Sequence, residues 1–162
     1  MENASNALLI GAGILIGIMV LSIGVYTYVN YSKVNEQYKQ EQAMDELNKF
    51  NSNFTVFLNR KDVKAQEIIT LQNLTRKYKE ENAINITISF SGSDAGILNT
   101  DINKIINAST EKDKTKYKIE FLTKYSVKAD NSGPITFTCK DNDIEYDNLT
   151  GRVKKIIFRK NS

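Results

Sequence analysis

The pattern of apolar and polar positions divides the chain sharply near residue 30. From Ala7 to Val29 it runs 23 residues without a charge, ALLIGAGILIGIMVLSIGVYTYV. As a helix rising about 1.5 Å per residue, that run reaches about 34 Å, enough to cross a hydrocarbon core of roughly 30 Å. It is longer than a buried core helix or the apolar part of a signal peptide needs, and its leader, MENASN, holds no Lys or Arg. The pattern therefore predicts one permanent membrane-spanning helix. Tyr26, Tyr28 and Tyr31 gather at its C-terminal end, where amphipathic rings favour the membrane–water interface.

Beyond the span, Tyr31 to Phe50 lacks Gly and Pro and is dominated by good helix formers. Tyr31, Val34 and Tyr38 make one weak apolar stripe, and Ala43, Met44 and Leu47 a second. The expectation is that the membrane helix continues into a stalk. This gives four divisions: a tail at 1–6, the transmembrane helix at 7–29, a juxtamembrane stalk helix at 30–50 and a globular domain at 51–162.

Within the globular part, VKAQEIITLQNLTRKYKEEN reads as an amphipathic helix with Asp62 as its N-cap. INITISF at 84–90 alternates Ile84, Ile86, Ile88 and Phe90 with polar residues, the period of a half-buried strand. SGSDAG reads as a loop, with Thr100 capping a short helix over DINKIINA. EKDKTK reads as a charged loop before a strand at 117–127. Pro134 then opens ITFTC, DIEYD follows, and Asn148-Leu-Thr-Gly turns into RVKKIIF, with Gly151 supplying a positive φ. The predicted fold class is α+β: the transmembrane helix and its stalk, then a small antiparallel β-meander with one packed helix.

Composition narrows function mainly by exclusion. The chain has 18 Asn, 18 Lys and 19 Ile against one Pro and no His or Trp, a bias that reads as a low-GC genome. Asn-x-Ser/Thr triplets such as those at Asn53, Asn73 and Asn85 arise by chance in such a chain. Without His, the usual general base, imidazole metal sites and the Ser-His-Asp and Cys-His arrangements are all excluded. No Walker loop and no GxGxxG occurs, and GSDAG at 92–96 lacks a serine-centred elbow. The net charge of +3 is spread along the chain, with no block dense enough for nucleic acid. The expectation is a protein that is not an enzyme and takes no cofactor, no nucleic acid and no small-molecule substrate. Cys139, the only cysteine, forbids an internal disulfide.

Three clusters are candidates for something more specific. Gly13, Gly17 and Gly24, at spacings of four and seven, lie near one face of the membrane helix, a smooth stripe against which another helix could pack. Asp141, Asp143, Glu145 and Asp147 place acids at every second position, a weak calcium candidate. They lack the EF-hand glycine, since Tyr146 stands in its place, and the solvated face of a strand pair is the plainer reading. Arg152, Lys154, Lys155, Arg159 and Lys160 could meet anionic head groups, or protect an edge strand from pairing.

Three longer segments carry a resemblance: ASNALLIGAGILIGIMVLSIGVYTY, FNSNFTVFLNRKDVKAQEIITLQNL and FTCKDNDIEYDNLTGRVKKIIF. Together they resemble a group of small single-pass membrane proteins of Bacillota, with an ASKAL-type anchor, an FNxxFxxYxG segment and a TGRVxxIxF ending. This chain has Phe57 where that pattern has Tyr and Asn59 where it has Gly. The resemblance implies a class of protein and no reaction, and it carries over no catalytic residues. A long N-terminal helix ending on an antiparallel sheet is also similar in architecture to type IV pilins, an analogy of fold alone. Glu2 is the only acid near the helix start and no basic leader with a Gly precedes the apolar run, so prepilin-type processing is not expected.

Lys33, Lys39 and Lys49 follow the span and no Lys or Arg precedes it, a small contrast that leans towards a cytoplasmic domain. Against that lean, the expectation is a single-pass cell-membrane protein with its C-terminal domain outside the cell. It would act as a pilin-like structural subunit, partnered by the membrane and by other copies or another protein through the transmembrane helix. The alternative is a membrane-tethered binding module presenting its domain to a soluble partner.

Overall fold

The computed structural model describes residues 2–128 and 133–161. The chain forms two compact units, Met1–Glu46 and Leu47–Ser162, and the boundary falls within one helix. That helix, α1, runs without a break from Glu2 to Thr55, so residues 2–6 form its first turn and the stalk continues the apolar segment. Among the described residues it is the one helix long and apolar enough to cross a membrane. Its polar side chains within the apolar run are satisfied locally. Ser22 donates to the Ile18 carbonyl at 2.8 Å and Thr27 to the Ile23 carbonyl at 2.7 Å. Hydrocarbon offers no other partner to such groups.

The second unit is α+β, as the sequence predicts. After the last turns of α1 come β1 (Val63–Lys64), α2 (Ala65–Asn82), β2 (Thr87–Ser91), α3 (Ala95–Asn107) and α4 (Glu111–Tyr125). The chain ends with β3 (Thr136–Thr138), β4 (Ile144–Tyr146) and β5 (Val153–Lys160). The sheet order is β1-β3-β5-β2, with β4 also on β5. Every pairing is antiparallel except β2 with β5, which run parallel with Ile88 opposite Ile156 and Phe90 opposite Phe158. A parallel neighbour requires a long crossover, and α3, α4 and the β3–β4 segment supply it.

One apolar cluster holds this unit together. Ile88, Phe90, Phe137, Ile144, Ile156 and Phe158 from one face of the sheet pack with Ile68, Leu98, Ile102 and Phe121 from the helices. Phe90 lies at its centre, with ring centroids 5.6 Å from Phe137, 6.3 Å from Phe158 and 6.4 Å from Phe121. Phe50 and Phe54, on the last turns of α1, are buried in the same cluster.

Four local expectations are corrected. The segment at 117–127 is helix α4 through Tyr125, and the EKDKTK loop is its first turns. Thr110 caps it by accepting from the Asp113 N–H at 3.1 Å, and Glu111 and Asp113 face the positive end of the helix dipole. Its four-residue spacing of Tyr117, Phe121 and Tyr125 puts three rings on the inner face, which outweighs the β propensity of the residue types. Helix α3 starts before Thr100, whose hydroxyl instead bonds back to the Gly96 carbonyl. Helix α2 starts after Lys64, because Val63 and Lys64 pair with β3. Glu67, not Asp62, takes an N-terminal amide there, accepting from the Lys64 N–H at 2.9 Å, while Asp62 pairs with Arg60. Lastly, β5 is central, not an edge: β2 lies on one side, and β3 and β4 share the other.

Candidate functional site

Strand β2 is one edge of the sheet, and a single side chain closes part of it. In a strand with a neighbour on one side only, successive residues turn their N–H and C=O alternately towards the partner and away from it. The Asn99 side chain, from α3, accepts from the Phe90 N–H at 2.8 Å and donates to the Phe90 carbonyl at 3.1 Å. Phe90 therefore faces outward, and so does Ile88, two residues earlier. Asn99 imitates the backbone of a missing strand at Phe90. Nothing from outside the sheet does so at Ile88 among the described residues.

Beside Ile88 lies a groove of about 570 Å³ between α2, β2, α3 and α4. Its floor includes Ile86, Thr87 and Ile88, and Asn103, one turn on from Asn99, forms part of its wall. Gln72 lines it from α2. That residue is only 7% exposed, yet its side-chain amide makes no hydrogen bond among the described residues.

The rim is cationic. Arg76 and Lys79 of α2 face it together with Lys114 and Lys118 of α4, against Glu80 alone among the lining residues. Arg76 reaches Glu80 at 3.7 Å and Glu111 at 3.4 Å, and Lys114 holds Glu111 at 2.7 Å. Lys79 and Lys118 have no ion-pair partner among the described residues. Sequence reading missed this group because Lys114 and Lys118 fell in an expected loop and strand. Only their four-residue spacing could have placed them on one helix face.

The four acids of the calcium candidate are dispersed. Asp141 accepts from the Asn59 amide at 2.7 Å, and Glu145 pairs with Lys155 at 2.9 Å. Asp147 accepts from the Leu149 and Thr150 N–H groups of the turn at 3.1 and 2.8 Å. Asp143 is buried rather than solvated: its carboxylate pairs with Arg159 and accepts from the Lys140 N–H at 2.7 Å. No group of three potential metal ligands occurs among the described residues. The basic tail is occupied in the same way, since Lys155, Arg159 and Lys160 pair with Glu145, Asp143 and Asp94.

On α1, Gly13, Gly17 and Gly24 each leave open space where a Cβ would stand, and Tyr26, Tyr28 and Tyr31 are exposed. Further along the chain, two distant segments meet. Asn51 of the FNSNF segment donates to the Gly151 carbonyl at 3.0 Å and accepts from the Val153 N–H at 2.9 Å, joining it to the TGRV ending. Gly151 has φ +68, as its turn demands. Asn59, which stands where the motif has Gly, has φ +59, a left-handed conformation that Asn tolerates better than most residues.

No family model, no curated protein and no solved structure matches this chain. The functional reading accordingly rests on geometry.

Proposed function

We propose that this protein is a non-enzymatic, membrane-anchored structural subunit, a pilin-like component of a cell-surface or secretion assembly. The observation that carries the reading is the unbroken helix from Glu2 to Thr55. Its apolar half has no burial within the chain, and its last turns set Phe50 and Phe54 into the core of the second unit. One helix thus carries both the apolar anchor and residues of the domain's core, which suits a subunit gathered through its anchor. The Gly13, Gly17 and Gly24 face supplies the surface on which neighbouring anchors pack closely. The domain of residues 51–162 stands outside the cell in this reading.

The test is the oligomeric state of the full-length protein in mild detergent. The wild type is expected to form oligomers, and Gly13→Ile with Gly17→Ile to shift it to monomer by blocking close approach. A wild type that stays monomeric, with no change in the double variant, contradicts the proposal. Orientation needs its own reporter. Cys139 is buried, and burial pushes its thiol up to about 11, so it reacts poorly in the folded protein. A cysteine at exposed Lys112, probed with a membrane-impermeant maleimide on intact cells, reports the side directly.

A second reading is a membrane-tethered binding module, and the groove beside Ile88 favours it. The two readings are compatible in one molecule, and they differ in whether a neighbour is another copy or a different protein.

A further inference from the structure

We propose that the β2 edge takes up an extended, acidic segment of a partner protein, which adds to the sheet as a strand alongside Ile88. This goes beyond the assembly reading and does not depend on it, because every group involved lies in the second unit.

Three independent features point to that occupant. The first is the main-chain hydrogen-bonding pair of Ile88, a residue that lines the groove although it is itself only 3% exposed. Ile88 turns its N–H and C=O out of the sheet, while the equivalent pair at Phe90 is already taken by Asn99. The place left is the one a strand-forming backbone fills, and peptides recognised by strand addition draw their affinity from such main-chain bonds. The second is Gln72, which lines the same groove and whose side-chain amide has no hydrogen-bond partner among the described residues. It can both donate to and accept from a backbone lying along β2, as Asn99 does one step further on. The third is charge. Lys79 and Lys118 line the groove without ion-pair partners among the described residues, and Arg76 and Lys114 add to the same field. A neutral or basic peptide would leave these cations uncompensated, whereas side chains bearing carboxylates on an incoming strand complement them.

Asn99 also sets the length of the site. By closing the edge at Phe90 it limits the added ladder to the part of β2 before that residue, so the segment recognised is short. Exposed edges invite indiscriminate pairing, and a clamp on one half with a charged rim on the other restricts what can enter.

The experiment titrates full-length protein in detergent with a short fluorescent peptide that alternates glutamate with valine. Three competitors accompany it: a lysine–valine peptide, the acidic peptide N-methylated on its backbone, and inorganic phosphate. The acidic peptide is expected to bind, and Lys79→Glu with Lys118→Glu to weaken it by about ten-fold or more with the melting temperature unchanged. Backbone methylation should weaken it by a similar factor of about ten, since it removes the ladder bonds but none of the charge. Hydrogen exchange at the Ile88 amide should slow when the acidic peptide is bound. If the methylated peptide binds as well as the parent, or if phosphate alone displaces it completely, the groove is a simple anion site and strand addition is wrong. No binding of the acidic peptide, or equal binding of the lysine peptide, overturns the proposal as well.

Discussion

Replacing Asn99 with Ala tests the closed half of the β2 edge without touching the core. The side chain makes two hydrogen bonds to one residue, at 2.8 and 3.1 Å, and both Phe90 groups lose their partner when it is removed. A protein hydrogen bond contributes about 1 kcal/mol net, so the pair contributes about 2 kcal/mol. Ala is the better helix former by roughly 0.6 kcal/mol, which brings the expected loss to about 1.5 kcal/mol. For a unit of this size, that lowers the melting temperature by roughly 6 °C. Thr100 provides the control. It sits next to Asn99 on α3, is exposed, and bonds only to Gly96 of its own helix, so Thr100→Ala should change stability by less than about 0.5 kcal/mol. Thermal melts of the full-length variants in detergent, followed by circular dichroism, make the comparison. A second effect should accompany the first: with Phe90 uncovered, the Asn99→Ala protein should aggregate at lower concentration than wild type. If Asn99→Ala and Thr100→Ala melt within about 1 °C of each other, the side chain is not closing the edge and the assignment of Ile88 as outward-facing loses its basis.

Two further predictions concern ion pairs in the second unit. Burial alone would raise the Asp101 carboxyl, but hydrogen bonds from Lys124 at 2.7 Å, Lys104 at 3.0 Å and Tyr125 at 2.8 Å outweigh it and hold the group at about 2, below its ordinary 3.8. A depressed carboxyl stabilises the fold above its unfolded value and ceases to do so as pH falls through the folded one. Asp101→Asn should thus lower stability at pH 7 by about 1 kcal/mol, discounted because both lysines are half exposed, and the gap to wild type should close between about pH 4 and pH 2. A gap that is the same in melts at both ends of that range contradicts the cluster's role. Arg159→Ala leaves the Asp143 carboxylate, whose side chain is 2% exposed, with the Lys140 N–H as its remaining partner; it should cost about 2 kcal/mol. Adding Asp143→Asn should recover part of that loss in urea unfolding. A double variant that is the sum of the two single ones would mean the groups do not act as a pair.

The sequence carries the long-range plan better than the local boundaries. An uncharged run of 23 residues has few alternatives to a membrane-length helix, and the helix-forming residues after it continue that helix. Strand β2 and the Gly151 turn were legible for the same reason: alternation and a left-handed residue are signals confined to a few neighbours. The segment at 117–127 was not, because Tyr117, Ile119, Phe121, Tyr125 and Val127 suit a strand while Tyr117, Phe121 and Tyr125 also form a helical face, and only packing against α2 and α3 decides between them. The strand order was hidden too. A basic C-terminal strand looks like an edge until its partners are known, and here Glu145 and Asp143 neutralise it from β4 and the turn before it. Asn99 had no sequence signal at all among 18 asparagines, since its role exists only when α3 lies beside β2.

The account stands or falls on whether the anchored protein gathers with copies of itself. Chemical cross-linking of surface amines in cells that produce the full-length chain, read on a denaturing gel, measures this directly. The account predicts a ladder of self-adducts at multiples of 18.4 kDa that disappears with Gly13→Ile and Gly17→Ile. A single adduct with a different protein, unchanged by those substitutions, would contradict it and leave the tethered binding module in its place.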